Sequence, residues 1–219
     1  YFLFFFFFSS VISQTVVSMK IDGSINPVSA DFIRNGIEKA RSEKAECLII
    51  QLNTPGGLLK STRVIVSDML QSPVPVIVYV SPGGSHAGSA GVFITLAAHI
   101  AAMAPGTNIG AAHPVMMQGQ MDTTMNEKAT NDAAAFIRTI AEKRHRNMVW
   151  AERAVRRSYS YSETEALQDS VIDLVVKNEE ELLRMIDGRI IELSSGSKTL
   201  HTLSATIINY KMSIWEKIL

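Results

Sequence analysis

The sequence predicts an α/β fold built on a largely parallel sheet, and three observations carry that prediction. Short apolar runs without polar alternation, "LIIQL" and "VIVYV", read as strands covered on both faces. Each is followed by a loop and then a segment of helical periodicity, so strand and helix alternate along the chain. The loops after these strands, "NTPGG" (53–57) and "SPGGSHAGS" (81–89), are rich in glycine and fall where open parallel sheets gather their ligands, beyond the carboxyl ends of strands.

Taken in order, "TVVSMKIDG" (15–23) alternates and is β-branched, which predicts a first strand. Asn26 is a candidate N-cap with Pro27 at the first helical position, and Phe32, Ile33 and Ile37 mark the buried stripe of the helix that follows. "ECLIIQLN" (46–53) predicts the second strand and "LLKSTRVIVSDMLQS" (58–72) the second helix. "VPVIVYV" (74–80) is the third strand, and a third helix is expected from about Ser89 to Ala98. "HIAAMAPGTNIGAA" (99–112) predicts a short strand and a turn, and the Met-rich "VMMQGQMDTTMNE" (115–127) a loop. One long helix is expected over 129–158, with "EKRHRN" (142–147) as a solvated face. Ser162 and Glu165 form a capping box ahead of a strand "VIDLVV" (171–176), and "NEEELLRMID" (178–187) is a short helix. "RIIEL" and "TLHTLSATII" are expected to close the chain as a hairpin.

Composition narrows the function. The 219 residues are 47% hydrophobic and 19% charged, enough for one large globular domain. Lys plus Arg and Asp plus Glu are both 21, a net charge of zero with no basic stripe, which does not favour nucleic acid. Neither glycine-rich loop has phosphate-loop spacing, and no cofactor or metal is expected. Cys47, the single cysteine, reads as a small buried hydrophobe. The opening "YFLFFFFFSSVISQ" is too short to span a bilayer, which needs about 20 apolar residues. It matches the apolar core and cleavage zone of a secretory signal, so residues 1–13 are expected to be a partial signal peptide and the domain to work outside the cytoplasm. One domain over 14–188 and an extension over 189–219 complete the expected organisation.

Ser89 stands among tiny residues, Ala87, Gly88, Ala90 and Gly91, at the start of an apolar helix. Its own N–H and that of Ala90 would lie at the positive end of the helix dipole, and Gly56 and Gly57 would offer two more unobstructed N–H groups. That suits a nucleophile with an oxyanion site. The same serine would equally serve as a simple helix cap, since the first glycine of a G-x-S-x-G elbow is missing. His86 and His99, of the five histidines (with His113, His145 and His201), have no evident carboxylate to orient them. A lysine base must be neutral, and Lys128, ahead of "ATNDAAAFIRTIA", would sit at a helix N-terminus where the dipole disfavours positive charge. Spacing alone leaves Lys60 and Lys143 open beside it.

The segments "IDGSINP", "LIIQLNTPGGLL", "PVPVIVYVSPGGSHAGSAGVFI", "AAHIAAMAPGTNIGAAHPV" and "EALQDSVIDLV" together resemble the protease domain of the NfeD (nodulation efficiency protein D) family, in the ClpP class with its ClpP/crotonase-like fold. The resemblance implies a membrane-associated serine endopeptidase with a Ser-Lys dyad, Ser89 as nucleophile and Lys128 as base. It places Gly57 and the Ala90 N–H at the oxyanion. It also implies apolar peptide substrates such as the tails of stomatin-like membrane proteins, and a homodimer or larger homo-oligomer. Gly56, Gly88, Met116 and Met117 are expected to touch substrate, with Met121 and Met125 in the same loop. Gly88 stands where relatives usually carry alanine, and Ser170 where they carry glycine. The end of the chain falls about where a first membrane helix would be expected. Rival readings are a crotonase-type acyl-CoA enzyme and a non-catalytic scaffold for membrane partners.

Overall fold

The computed structural model describes residues 14–115 and 123–212. In chain order the elements are β1 (Thr15–Asp22), α1 (Pro27–Ser42), β2 (Leu48–Asn53), α2 (Leu59–Leu70), β3 (Val76–Val80), β4 (His86–Gly88), α3 (Ala90–Ala97), β5 (Ile100–Met103), β6 (Asn108–Gly110), α4 (Thr123–Lys143), α5 (Met148–Arg156), β7 (Ser160–Ser162), α6 (Glu163–Gln168), β8 (Leu174–Val175), α7 (Glu179–Ile186), β9 (Ile190–Leu193), β10 (Gly196–Thr199) and β11 (Thr206–Tyr210). Six strands form one sheet in the order β11-β1-β2-β3-β5-β8, every neighbouring pair parallel. The expected α/β architecture is what the chain adopts.

Alternation along the central strands divides the core in two. Val17, Met19 and Ile21 join Leu48, Ile50 and Leu52 beneath α1 to α4, while Val16, Ile49, Ile77 and Tyr79 pack against Leu182 and Ile186 of α7 on the other face. Both faces of β2 and β3 are therefore dry, which is why these two strands lack polar alternation. Asn26 caps α1 through Ser29 N–H at 2.9 Å, and the Ser162–Glu165 capping box opens α6.

Four expectations are corrected. The long helix over 129–158 is two helices: the chain turns through His145 (φ 55°), and Asn147 recaps α5 by accepting Trp150 N–H at 2.9 Å. Residues 123–127 are the first turns of α4 and not loop, so Met125 is helical, while Met116, Met117 and Met121 lie outside the described residues, as do 1–13. The closing hairpin pairs β9 with β10; the later strand β11 instead returns to the main sheet beside β1, where Ile207 and Ile208 contribute to both cores. The strand expected over 171–176 shortens to β8. A three-stranded sheet, β4-β6-β7, was not anticipated, and it matters most because it carries the turn to Ser89.

Candidate active site

The carboxyl ends of β2 and β3 feed the two glycine-rich loops, and hydrogen bonds lace these loops together. Thr54 N–H donates to His86 C=O and Gly88 N–H returns to Thr54 C=O, both at 2.9 Å, so the "NTPGG" segment lies along one edge of β4. The other edge of β4 pairs with β6. Pinned on both sides, the chain leaves β4 and turns into α3 at Ser89 with φ 48° and ψ −106°. That conformation is costly for a side chain with a Cβ and persists only where the surroundings fix it. A strained strand-to-helix turn is how a nucleophilic serine is presented.

The hydroxyl of Ser89 caps no helix N–H, so capping does not account for it, and the residue is half-buried. Its own N–H donates to Gly110 C=O at 3.2 Å and is spent there, contrary to its expected place in an oxyanion site. The N–H groups of Ala90 and Gly57, in contrast, have no partner among the described residues. Gly56 lies against the serine: a Cβ at that position would stand 2.6 Å from Ser89 Cβ, 3.1 Å from its Oγ and 3.6 Å from Ala90 N. Gly57 crosses the Ile25 backbone so closely that a Cβ there would meet Ile25 O at 2.0 Å. Gly88 is tighter than its surroundings suggest, because a Cβ would sit 3.0 Å from both His86 Cδ2 and Pro55 O. The structure thus brings Ser89, Ala90, Gly56, Gly57 and Gly88 to one place.

Candidate bases separate by position. Helix α3 runs from Ser89 back to His99 at the amino ends of β3 and β5, where His99 Nδ1 accepts Val76 N–H at 3.1 Å. Burial first, then the neighbouring Arg144 charge, pushes His99 down to about 3, so it is a neutral structural acceptor. His113 Nδ1 contacts Val155 O at 3.0 Å, His145 and His201 are exposed, and His86 is half-exposed on β4. Lys143, in the last turn of α4, lies at the His99 end of the strands, whereas Lys60 lies in the first turn of α2 after the Gly57 loop.

Helices α3 and α4 run the same way, because Phe93 stacks on Phe136 (centroids 5.5 Å apart) and Arg144 Nε reaches Ala97 O at 2.8 Å. Lys128 precedes Phe136 by two turns, about 12 Å of rise, and Ser89 precedes Phe93 by one, about 6 Å. Lys128 therefore stands at the Ser89 end of the bundle, exposed on α4, its side-chain amine without a hydrogen bond or ion pair among the described residues.

One residue that sequence reasoning missed sits at the far end of α3. Arg146, read as part of a solvated face, has a side chain only 2% exposed. It donates to Leu96 O (3.2 Å) and Ala98 O (3.1 Å) and pairs with Asp173 at 2.8 Å, capping the buried carboxyl end of the nucleophile helix. Nothing local signals this, since the partners are 27 to 50 residues away in sequence. Among the described residues no group of His, Cys, Asp or Glu could hold a metal ion, and no helix is long and apolar enough to cross a membrane.

Comparison with known proteins bears on the family and the fold. Residues 15–208 match the family model "NfeD1b, N-terminal domain". Membrane-bound protease PH1510 of Pyrococcus horikoshii is 37% identical over 183 residues, covering 82% of this chain and 42% of that protein, so the chain spans less than half the length of this relative. Two solved structures of the 1510-N membrane-bound stomatin-specific protease are 32% identical. A lysine-to-alanine variant in complex with a substrate peptide superposes with a TM-score of 0.87 over 95% of this chain and 97% of that one. A serine-to-alanine variant gives 0.86 over 92% and 99%. ClpP1 from Listeria monocytogenes, 20% identical, shares the fold with a TM-score of 0.61 over 75% of this chain and 94% of its own.

Proposed function

This chain belongs to the NfeD1b N-terminal domain family, and on that premise we propose that it is a membrane-associated serine endopeptidase in which Ser89 is the nucleophile and Lys128 the general base. The observation that carries the reading is the strained turn at Ser89, walled by Gly56 and flanked by the partnerless N–H groups of Ala90 and Gly57. Lys128 takes the Ser89 hydroxyl proton as Oγ attacks the scissile carbonyl. The oxyanion that forms accepts the two N–H groups, a donor set worth about 10²–10³ in rate for each member. Collapse expels the amine, which takes its proton from Lys128 and leaves an ester on Ser89. Water then attacks that ester by the same route in reverse order of proton transfers.

The substrates in this reading are apolar peptide segments, such as the tails of stomatin-like membrane proteins, a class suggested by the likeness to a stomatin-specific protease. Work on the extracytoplasmic side of a membrane and assembly as a homodimer or larger ring complete the reading. Gly56 and Gly88 line the path of the substrate backbone in this reading.

The test is fluorophosphonate labelling and cleavage of an apolar peptide library, with Ser89→Ala, Lys128→Ala and Lys60→Ala beside the parent. Ser89→Ala should lose both activities, Lys128→Ala should fall by about 10²–10⁴-fold, and Lys60→Ala should cleave like the parent. Hydrolysis surviving Lys128→Ala would transfer the base to another group. An unlabelled, inactive parent that still binds a membrane partner would replace the enzyme with a scaffold.

A further inference from the structure

Helices α2 and α3 begin at the candidate site, α2 just after Gly57 and α3 at Ser89, and α4 carries Lys128 in its second turn. Arg63, in the second turn of α2, reaches α4 directly and α3 through one aromatic ring. Its Nη2 donates to Asp132 Oδ2 at 2.6 Å, and its guanidinium lies 4.2 Å from the centre of the Phe136 ring, which stacks in turn on Phe93 of α3. Asp132 is one helical turn after Lys128. At that spacing the two side chains are neighbours on one face, and this carboxylate is the partner a lysine at 128 would otherwise take. Arg63 holds it instead, and Lys128 has no ion pair among the described residues.

We propose that Arg63 is a positioning residue for the reaction: by sequestering Asp132 it leaves the Lys128 amine available to Ser89. The inference rests on Lys128 being the base. Both partners are well exposed, Arg63 at 39% and Asp132 at 66%, so the pair contributes little to stability and its removal leaves the fold intact. Its effect is on the reaction. A freed carboxylate about 4 Å from an ammonium in a water-like medium attracts it by about 1 kcal/mol, or roughly fivefold in the share of lysine that remains free.

The experiment is a double-mutant cycle on Arg63→Gln and Asp132→Asn, read as kcat and KM for an apolar peptide and as the rate of fluorophosphonate labelling. Arg63→Gln should lower kcat and the labelling rate about fivefold with KM and melting temperature little changed. Asp132→Asn alone should keep parental kcat, and the double variant should recover it, because no carboxylate is left to capture Lys128. If Arg63 only braced the helices, Asp132→Asn would be as damaging as Arg63→Gln and the double variant no better; that outcome overturns the proposal, as does an Arg63→Gln enzyme with parental kcat. Lys128→Ala, run alongside, separates the two levels. If it stays active, the dyad itself fails; if it is dead while the cycle shows no recovery, only the role of Arg63 fails.

Discussion

Replacing Gly56 with alanine tests the site at its narrowest point. The new methyl would sit 2.6 Å from Ser89 Cβ, about 1 Å inside the 3.5–4.0 Å at which carbon atoms rest in contact, and 3.1 Å from Oγ. The Gly56 backbone also has φ 126°, a region that costs a residue with a side chain about 1–3 kcal/mol. Either the loop or Ser89 must yield by about 1 Å. A shift of that size moves the Gly57 N–H off the oxyanion, and losing one such donor costs about 10²–10³ in kcat. For a domain of this size, 1–3 kcal/mol lowers the melting temperature by roughly 2–12 °C, so the variant stays folded at 25 °C. The assay pairs fluorophosphonate labelling and peptide cleavage with a thermal melt. Gly106→Ala is the control, because φ is 75° there and a Cβ would meet nothing within 4 Å. It should lose comparable stability and no activity. A Gly56→Ala protein that labels within about threefold of the parent would refute the assignment of this loop to the oxyanion.

Two further outcomes follow from buried groups away from the site. His99 is held near 3 when folded and titrates near 6.5 when unfolded, so between those values the unfolded chain binds the extra proton and stability falls as pH falls; the loss from pH 6.5 to pH 5 is about 2 kcal/mol, and denaturant titrations of parent and His99→Asn should show the variant with the flatter pH dependence. Arg146→Met strips a buried cation from Asp173 and from two helix-terminal carbonyls, and chemical denaturation should show about 3–5 kcal/mol lost.

What the sequence disclosed and what it hid divide along one physical line. β2 and β3 are legible because burial on both faces writes a continuous apolar run, β1 because it alternates and is β-branched, and Asn26-Pro27 and Ser162–Glu165 because a cap is a local bond. The break at His145 is hidden because 129–158 keeps helical periodicity with no glycine or proline; the turn is imposed by Arg144 and Arg146 reaching back to α3. Strands β4, β6 and β7 have three residues each and exist only through pairing with distant segments, so no local pattern announces them. At the site, the place of Ser89 is legible from its small neighbours, whereas the capture of its N–H by Gly110 and the grip of Arg63 on Asp132 depend on residues far along the chain.

Those small neighbours answer first to packing. Ala87 is fully buried between two paired segments, and a Cβ on Gly91 would stand 2.8 Å from Thr54 Cγ2 and 3.2 Å from Ala87 Cβ. Such crowding would be required of any chain that folded this way, active or not. The catalytic information lies elsewhere, in which backbone donors remain unspent once the crowding is satisfied. Thr54, Gly88 and Ser89 commit their N–H groups to His86, Thr54 and Gly110, and by doing so they over-determine the strained turn. Ala90 and Gly57 are left over, on either side of Gly56, which lies against the serine. An inactive descendant could keep every glycine and alanine of the motif and still lose function by giving one of those two donors a partner.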